Sequence, residues 1–199
     1  MELIQRAPGL APYLAADEAI DHEHPLVRRT AARLAADAGD AYAYAEAAFE
    51  FVRDTIAHSA DSGDLRVTWR ASDVLATRTG ICHAKAHALA ALLRAEGVPT
   101  ALCYQRPSTE EGERPMLHGL VAVRLPGRDR WDRQDPRGNG PGVDARFSLD
   151  GERLAWPVLP GTDGVDHPGL HAAPHPGVLH ALRSARDRPH LWQILPAEL

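Results

Sequence analysis

Cysteine and lysine are scarce in this 199-residue chain. There are two cysteines, Cys82 and Cys103, and a single lysine, Lys85, beside 21 arginines. Two cysteines in a chain long enough to bury a core do not indicate a disulfide scaffold, so we expect both to be free thiols in a reducing compartment. The preference for arginine is typical of a genomic bias, which makes the one lysine, close to Cys82, a residue of interest.

Long hydrophobic runs are also absent. No apolar stretch approaches the roughly 20 residues that span a bilayer, and the start of the chain lacks the charged-then-apolar pattern of a signal peptide. These absences predict a cytoplasmic protein that does not bind membranes. The formal charge is −5, with acidic residues and arginines interspersed, so the basic stripe of a nucleic-acid-binding protein is missing.

The rest of the composition, 44% hydrophobic and 25% charged, is typical of one soluble globular domain. We therefore expect a single domain over 1–199. It would comprise a helical N-terminal part over 1–60, a core over 66–139 and a C-terminal tail over 140–199.

Helices are predicted mainly in the first half of the chain. Apolar residues at helical spacing predict one helix through 27–35 and a second after Asp40, whose side chain can cap it. A third is predicted over about 72–80. Residues 81–96, with the sequence ICHAKAHALAALLRAE, contain no proline or glycine, and the Gly-Val-Pro that follows is a helix stop. A fourth helix is therefore predicted there.

Strands are predicted after this fourth helix. An apolar run over 101–105 indicates a buried strand, and 107–115 has the composition of an exposed loop. Residues 117–125 predict a second strand. The Pro-Gly-Arg-Asp sequence over 126–129 is typical of a turn, so 130–135 should return as the other half of a hairpin.

The last 64 residues hold nine of the sixteen prolines and eight of the sixteen glycines. This composition predicts mostly loops, with one helix around 178–186. The tail carries too many large apolar side chains for a free linker, so we expect it to wrap the core. These side chains are Phe147, Leu154, Trp156, Val158, Leu191, Trp192 and Ile194.

Cys82 is the candidate nucleophile. It falls in the first turn of a predicted helix, where unpaired N–H groups and the positive end of the helix dipole favour a thiolate. The alternative is a buried structural cysteine, which is the commoner fate of a lone thiol.

His118 and Asp135 are the candidate partners of Cys82, because the predicted hairpin can bring them together. A four-residue loop at 126–129 places position 118 opposite 137 and diagonal to Asp135 on the same face. A two-residue loop at 126–127 would place His118 directly opposite Asp135. A three-residue loop without a bulge would put them on opposite faces, and His118 would then be an ordinary core histidine.

A helix-terminal cysteine, a strand histidine and an aspartate on the neighbouring strand suit amide or ester chemistry through a thioester. The imidazole would take the thiol proton and later protonate the leaving group. The carboxylate would fix the imidazole tautomer and stabilise the imidazolium. No cofactor is needed for this chemistry.

Three segments resemble the transglutaminase-like superfamily. TGICHAKAHALAALLRAEGVPTALCYQR (79–106) is similar to that family's cysteine helix and its Leu-Leu-Arg-Ala-x-Gly-Val-Pro ending, and WDRQDPRGN (131–139) is similar to its Trp-x-x-x-Asp-Pro element. The chain resembles a bacterial branch of stand-alone proteins in which EFVRDTIAHSAD (50–61) also has a counterpart. The resemblance extends from about His22 to His175.

This resemblance implies an α+β fold with a papain-like core. A central cysteine helix would pack on a small antiparallel sheet, after a helical N-terminal half and before a loop-rich tail. By this resemblance, Cys82 would be the nucleophile, His118 the base and Asp135 the acid that orients His118. The chain departs from the family pattern at Gly119, where a bulky residue usually follows the histidine, and at His83, where an aromatic residue usually follows the cysteine.

Crosslinking is not expected, because the additional domains and calcium sites of the long crosslinking enzymes have no counterpart here. The resemblance favours a small amidase, peptidase or acyl transferase, with a peptide, protein or small amide as substrate. The backbone N–H of Cys82 is the natural first oxyanion donor, and Gln105 is a candidate for the second. Lys85 could lower the thiol pKa or hold a substrate carboxylate. Three more residues are candidates for lining the cleft: Tyr104, Arg137 and Asn139.

Two other functions remain open. One is a catalytically silent binding module of the same fold, which Gly119 supports. The other is a metal-binding protein, because imidazoles recur at ligand-like spacing, although a proline-broken polar loop explains most of them more simply. The histidines concerned are His83, His87, His167, His171, His175 and His180.

Overall fold

The computed structural model describes residues 1–109 and 114–199, and its helices lie mostly in the first half of the chain. The two central helices begin as the sequence predicts. Asp40 caps one of them by accepting a hydrogen bond from the Ala43 N–H at 2.8 Å, and the other begins at Cys82. The helices are α1 (Pro25–Ala36), α2 (Ala41–Thr55), α3 (Ser59–Ser62), α4 (Ala71–Thr77), α5 (Cys82–Ala95), α6 (Pro176–Ser184) and α7 (Arg188–Ile194).

Strands form one main sheet and one short ladder. The main sheet has the order β1-β7-β4-β5-β6, with β1 parallel to β7 and every other pair antiparallel. The ladder joins β2 to β3 in parallel. The strands are β1 (Ile4–Gln5), β2 (Ala57–His58), β3 (Thr79–Gly80), β4 (Thr100–Arg106), β5 (His118–Val123), β6 (Asp132–Gln134) and β7 (Val165–His171).

Helix α5 is the centre of the core. Every residue from Cys82 to Arg94 is buried, because α1, α2 and α4 cover one side of the helix and β4 and β5 cover the other. Its alanines allow these neighbours to approach closely on all sides. The fold is therefore α+β, with a cysteine-headed helix packed on an antiparallel sheet, as expected.

The opposite face of the sheet has its own smaller apolar cluster. Cys103, Leu120 and Leu170 lie in it, covered by Tyr13 from the N-terminal segment. The Tyr13 hydroxyl donates to the Leu170 carbonyl at 3.0 Å, so the start of the chain is tied to the sheet. Cys82 and Cys103 consequently lie in different layers of the molecule.

The prediction of a helical 1–60 is wrong for the first 24 residues. They form β1 and a short 3-10 helix over Ala11–Leu14 instead of α-helix. The reason is local, because Pro8, Gly9 and Pro12 interrupt any longer helix. No helix in the described part of the chain has the length and apolarity to cross a membrane.

The tail contains more regular structure than its composition predicts. It supplies α6, as expected, but also α7 and β7, which the sequence did not indicate. Strand β7 contains Pro168, normally a sign against a strand inside a sheet. The pairing with β4 shifts register between Leu102 and Tyr104, and this bulge accommodates the proline.

The β5–β6 hairpin adopts the register of a four-residue loop. Val121 pairs with Gln134 and Val123 with Asp132. Of the alternatives that the sequence leaves open, this is the one that places position 118 diagonal to Asp135 on one face. The hairpin therefore determines the geometry of the candidate site.

Candidate active site

Cys82 is the first residue of α5 and follows β3 almost directly. Ile81 precedes it as the N-cap and makes no side-chain capping bond, so the N–H groups of the first turn remain available. The Cys82 side chain is buried but reaches the wall of a groove, with 8% of the residue exposed. An anionic sulfur is favoured at this position.

His118 and Asp135 are brought together by the hairpin. The His118 Nε2 lies 2.8 Å from Asp135 Oδ2, and both side chains are buried. The carboxylate also accepts the N–H of Arg137 at 3.1 Å and that of Ala155 at 2.9 Å. Three hydrogen bonds fix it in place, and His118 Nδ1 is left without a hydrogen-bond partner among the described residues.

The electrostatics of the pair favour a thiolate and an imidazolium. Burial alone would raise the pKa of Cys82, but the charges of His83 and His118 and the polar N–H groups of the nearby His118 and His58 rings bring it well below its ordinary value. Burial opposes protonation of His118, but Asp135 and the Cys82 sulfur raise its pKa to about 10. Each partner thus stabilises the charged form of the other.

One more imidazole contacts the sulfur, and another lines the same groove. His83 Nδ1 is 3.3 Å from Cys82 Sγ, and its Nε2 is buried without a partner among the described residues. His58, at the end of β2, lines the groove together with Cys82 and His118. Sequence reasoning assigned no role to His58. The signals that could have found it are its place in the segment 50–61, which resembles the bacterial branch, and Asp61 three residues later.

Trp156 from the tail shields the histidine. Its ring packs edge-on against the His118 ring, with centroids 4.9 Å apart. Gln105 donates its side-chain amide to the Trp156 carbonyl, so the structure uses this donor to hold the tryptophan. The expectation that Gln105 supplies the second oxyanion donor is therefore not supported by its position.

Arg137 joins the two sides of the groove. Its guanidinium stacks on the Trp156 ring at 4.8 Å and makes a bidentate pair with Asp61, at 2.5 and 2.7 Å. Burial opposes ionisation of Asp61, but the Arg137 hydrogen bond and the charges of Arg137 and His58 bring its pKa below the usual range. The aspartate is thus a fixed negative charge close to the groove.

The groove itself has a volume of about 330 Å³. Cys82, His58 and His118 line it, and most of the remaining wall is apolar. The apolar side chains are Ala60, Ile81, Pro107, Met116, Leu117, Trp156, Trp192 and Leu195.

Lys85, predicted to act on the thiol or on a substrate carboxylate, does not line this groove. Lys85 is fully buried, and its ammonium donates to the Arg53 carbonyl at 3.2 Å and to the Ile56 carbonyl. These carbonyls lie at the C-terminal end of α2, so the lysine caps that helix. Burial, with repulsion from Arg137, lowers the Lys85 pKa to about 8. Histidines, and not this lysine, dominate the pKa shift of Cys82.

Tyr104 and Asn139 have structural partners. The Tyr104 hydroxyl accepts the His175 N–H at 2.8 Å. Asn139 exchanges two hydrogen bonds with the backbone of Ala145, at 2.7 and 3.2 Å. Neither side chain lines the groove that contains Cys82.

The histidines that suggested a metal site are dispersed over different contacts. His83 faces the Cys82 sulfur, whereas His87 bonds the Trp69 carbonyl at 2.8 Å. His171 and His175 pack around the Tyr104 ring. Within residues 1–109 and 114–199, no three His, Cys, Asp or Glu side chains form a group suited to a metal ion.

Gly119 has a packing explanation. A Cβ at this position would lie 2.7 Å from the His83 ring and 3.0 Å from its Cα. Only glycine lets β5 approach the start of α5 this closely. The absence of a bulky residue after His118 therefore reflects the close contact between β5 and α5.

Comparisons with known proteins identify a family and two solved structures that this chain resembles. The sequence profile of the Transglutaminase-like superfamily matches residues 28–136, more than half of the chain. A "putative cysteine protease" from Cytophaga hutchinsonii matches in structure with a TM-score of 0.55 and 18% identity, over 66% of this chain and 43% of that one. A "putative protease" from Parabacteroides distasonis gives a TM-score of 0.42 and 17% identity, over 63% and 26%.

This chain thus spans less than half the length of either solved protein, and the first likeness concerns the fold alone. No curated protein matches the chain.

Proposed function

Because the chain belongs to the Transglutaminase-like superfamily, a family of thiol-dependent hydrolases and transferases, we propose that it cleaves or transfers amide-linked acyl groups through Cys82. The observation that carries the proposal is the buried His118–Asp135 hydrogen bond of 2.8 Å beside a thiol whose pKa is lowered. In this proposal Cys82 is the nucleophile, His118 the acid and base, and Asp135 the group that orients His118.

The reaction begins with the Cys82 thiolate and the His118 imidazolium. The sulfur attacks the substrate carbonyl carbon, a C–S bond forms, and the carbonyl electron pair moves onto oxygen. When the tetrahedral intermediate collapses, the C–N bond breaks and His118 gives its proton to the departing amine. The resulting thioester is attacked by water or by a second amine, whose proton passes to His118 as the thiolate leaves.

The groove suggests which part of the substrate binds beside the sulfur. Its walls are mainly apolar, with Trp156 and Trp192 among them. Burial of an apolar acyl side chain there contributes about 25 cal/mol per Å² of surface removed from water. We therefore favour donors with an aliphatic or aromatic group next to the scissile bond.

The proposal is tested with p-nitrophenyl acetate, whose acyl group transfers to a thiolate with release of p-nitrophenolate. Wild-type protein should give a burst of one p-nitrophenolate per chain, followed by slower turnover. Cys82→Ser should abolish the burst, and Cys103→Ser is the matched control that should retain it. Mass spectrometry of the trapped intermediate should locate the acetyl group on Cys82.

A folded wild-type protein without a burst, or one acetylated equally at both cysteines, would overturn the proposal. The first result would favour a binding module instead. Gly119, the residue that supported that alternative, is explained by the approach of β5 to His83, so the enzymatic function is preferred.

A further inference from the structure

The proposed reaction needs two hydrogen-bond donors for the oxyanion. The backbone N–H of Cys82 supplies the first donor. The second must lie beside the sulfur on the side of the helix N-terminus. Gln105 does not fill this role, because its side chain is fully buried, donates to the Trp156 carbonyl and does not line the groove.

His58 lies at the position required. The parallel ladder pairs His58 with Gly80, two residues before Cys82, so the imidazole lies next to the first turn of α5. The residue is 9% exposed and lines the same groove as Cys82 and His118. The groove that contains Cys82 is therefore lined by two imidazoles, one from β2 and one from β5.

The other edge of the His58 ring faces a fixed carboxylate. Its Nδ1 is buried, makes no hydrogen bond to the described residues and lies 3.8 Å from Asp61 Oδ1. Asp61 is held by the bidentate pair with Arg137, which stacks on Trp156. Nε2 is then the nitrogen left for the groove, and the ring is positioned much as Asp135 positions His118.

We propose that His58 is a further catalytic residue, which donates the second hydrogen bond to the oxyanion formed by attack of Cys82. This inference rests on the proposed function. As the C–S bond forms, negative charge moves from sulfur to the carbonyl oxygen. His58 and the Cys82 N–H then stabilise that oxygen until the carbonyl re-forms and the leaving group departs.

The resting site agrees with this role. The imidazole of His58 is one of the groups that lower the pKa of Cys82, and it lines the groove that contains the sulfur. A donor that lies beside the sulfur before attack is also close to the oxygen on the carbon that bonds to that sulfur. The same N–H can thus stabilise the charge before and after it moves.

The test separates oxyanion stabilisation from thiol ionisation by using two reactions of one sulfur. Acylation by p-nitrophenyl acetate passes through an oxyanion, whereas alkylation by iodoacetamide displaces iodide and forms none. Both rates are measured at a pH where alkylation has reached its plateau, so that the thiol is fully ionised in every variant. The variants are His58→Ala, which removes the donor, and His58→Gln, which retains an N–H.

In His58→Ala we expect acylation to fall about 10²-fold, the loss typical of one oxyanion donor, and plateau alkylation to change less than about threefold. Acylation of His58→Gln should be at least about tenfold faster than that of His58→Ala, because glutamine retains an N–H donor. The control His87→Gln makes the same change at a buried histidine that bonds the Trp69 carbonyl. It should leave the ratio of the two rates unchanged.

The inference is overturned if the two rates fall together in His58→Ala, or if neither falls, or if His58→Gln is no better than His58→Ala. Because the ratio is taken on the same folded fraction, partial unfolding does not mimic the expected result. Wild-type protein that alkylates at Cys82 but gives no burst overturns the proposed function itself, and this inference with it.

Discussion

The surroundings of the two cysteines differ although both thiols are buried. Cys82 is 8% exposed and Cys103 is fully buried. Cys103 lies in the middle of β4, in the apolar cluster with Tyr13 and Leu120, and burial raises its pKa to about 12. The pKa of Cys82 moves in the opposite direction.

Burial alone therefore does not decide whether the pKa of a thiol is raised or lowered in this fold. Desolvation raises the pKa at both sites, and only the groups around Cys82 reverse the effect. These groups are imidazoles supplied by β2, α5 and β5, at the N-terminus of a helix. Cys103 has neither an imidazole nor a helix end among its dominant interactions, so it serves as an internal reference for the predictions below.

The largest effect is expected from Asp135→Asn. The amide retains the shape of the carboxylate but has no charge to stabilise the His118 imidazolium. Its N–H group can also hold the His118 ring in the wrong tautomer. Acyl transfer to Cys82 should fall about 10³–10⁴-fold. The p-nitrophenolate burst rate of the folded variant provides the measurement, and Asp132→Asn, three residues earlier on β6, is the matched control. A loss of less than tenfold would mean that Asp135 has only a structural role.

Much of this site follows from local sequence signals. The helix that begins at Cys82 is bounded by a glycine-proline stop, and the turn at 126–129 sets the hairpin register that brings His118 to Asp135. Register and helix termini depend on neighbouring residues, and for that reason a sequence can predict them.

The missed features depend on contacts between distant segments. His58 reaches the groove through a two-residue ladder with β3, too short to leave an alternating pattern. Strand β7 contains Pro168, and it can pair with β4 only because a bulge in the ladder accommodates the proline. The sequence predicts that Trp156 belongs to a tail that wraps the core, but its contact with His118 depends on how that tail folds back.

Lys85→Met tests whether the lysine contributes to the difference in thiol reactivity between Cys82 and Cys103. Loss of the ammonium leaves the Arg53 and Ile56 carbonyls without this donor. The free energy of unfolding should fall by about 2–3 kcal/mol, as measured by urea denaturation. The rate at which iodoacetamide alkylates Cys82 in the folded variant should stay within about threefold of wild type. A tenfold fall in that rate at unchanged stability would assign the lysine to the site instead.

The pH dependence of alkylation should distinguish Cys82 from an ordinary thiol. A thiol of pKa near 8.5 gains about 25-fold in thiolate between pH 7 and 9. Because the neighbouring imidazoles hold the pKa of Cys82 well below its ordinary value, its thiolate forms at lower pH than that of an ordinary thiol, and its rate should rise much less between pH 7 and 9. N-acetylcysteine, measured in parallel with iodoacetamide, is the reference. A rise of Cys82 reactivity parallel to that of the reference would show that the thiol is not activated.

The smallest effect is expected from Cys103→Ala, which changes the reference cysteine. The side chain packs on the sheet face opposite α5, so the loss of its sulfur should cost about 1 kcal/mol of unfolding free energy through lost apolar burial. The urea midpoint should fall with an unchanged slope. The burst and the alkylation of Cys82 should match wild type, because the sheet separates the two layers. A slower burst in this variant would show that packing behind the sheet controls the position of His118, and the two cysteines would then no longer be independent.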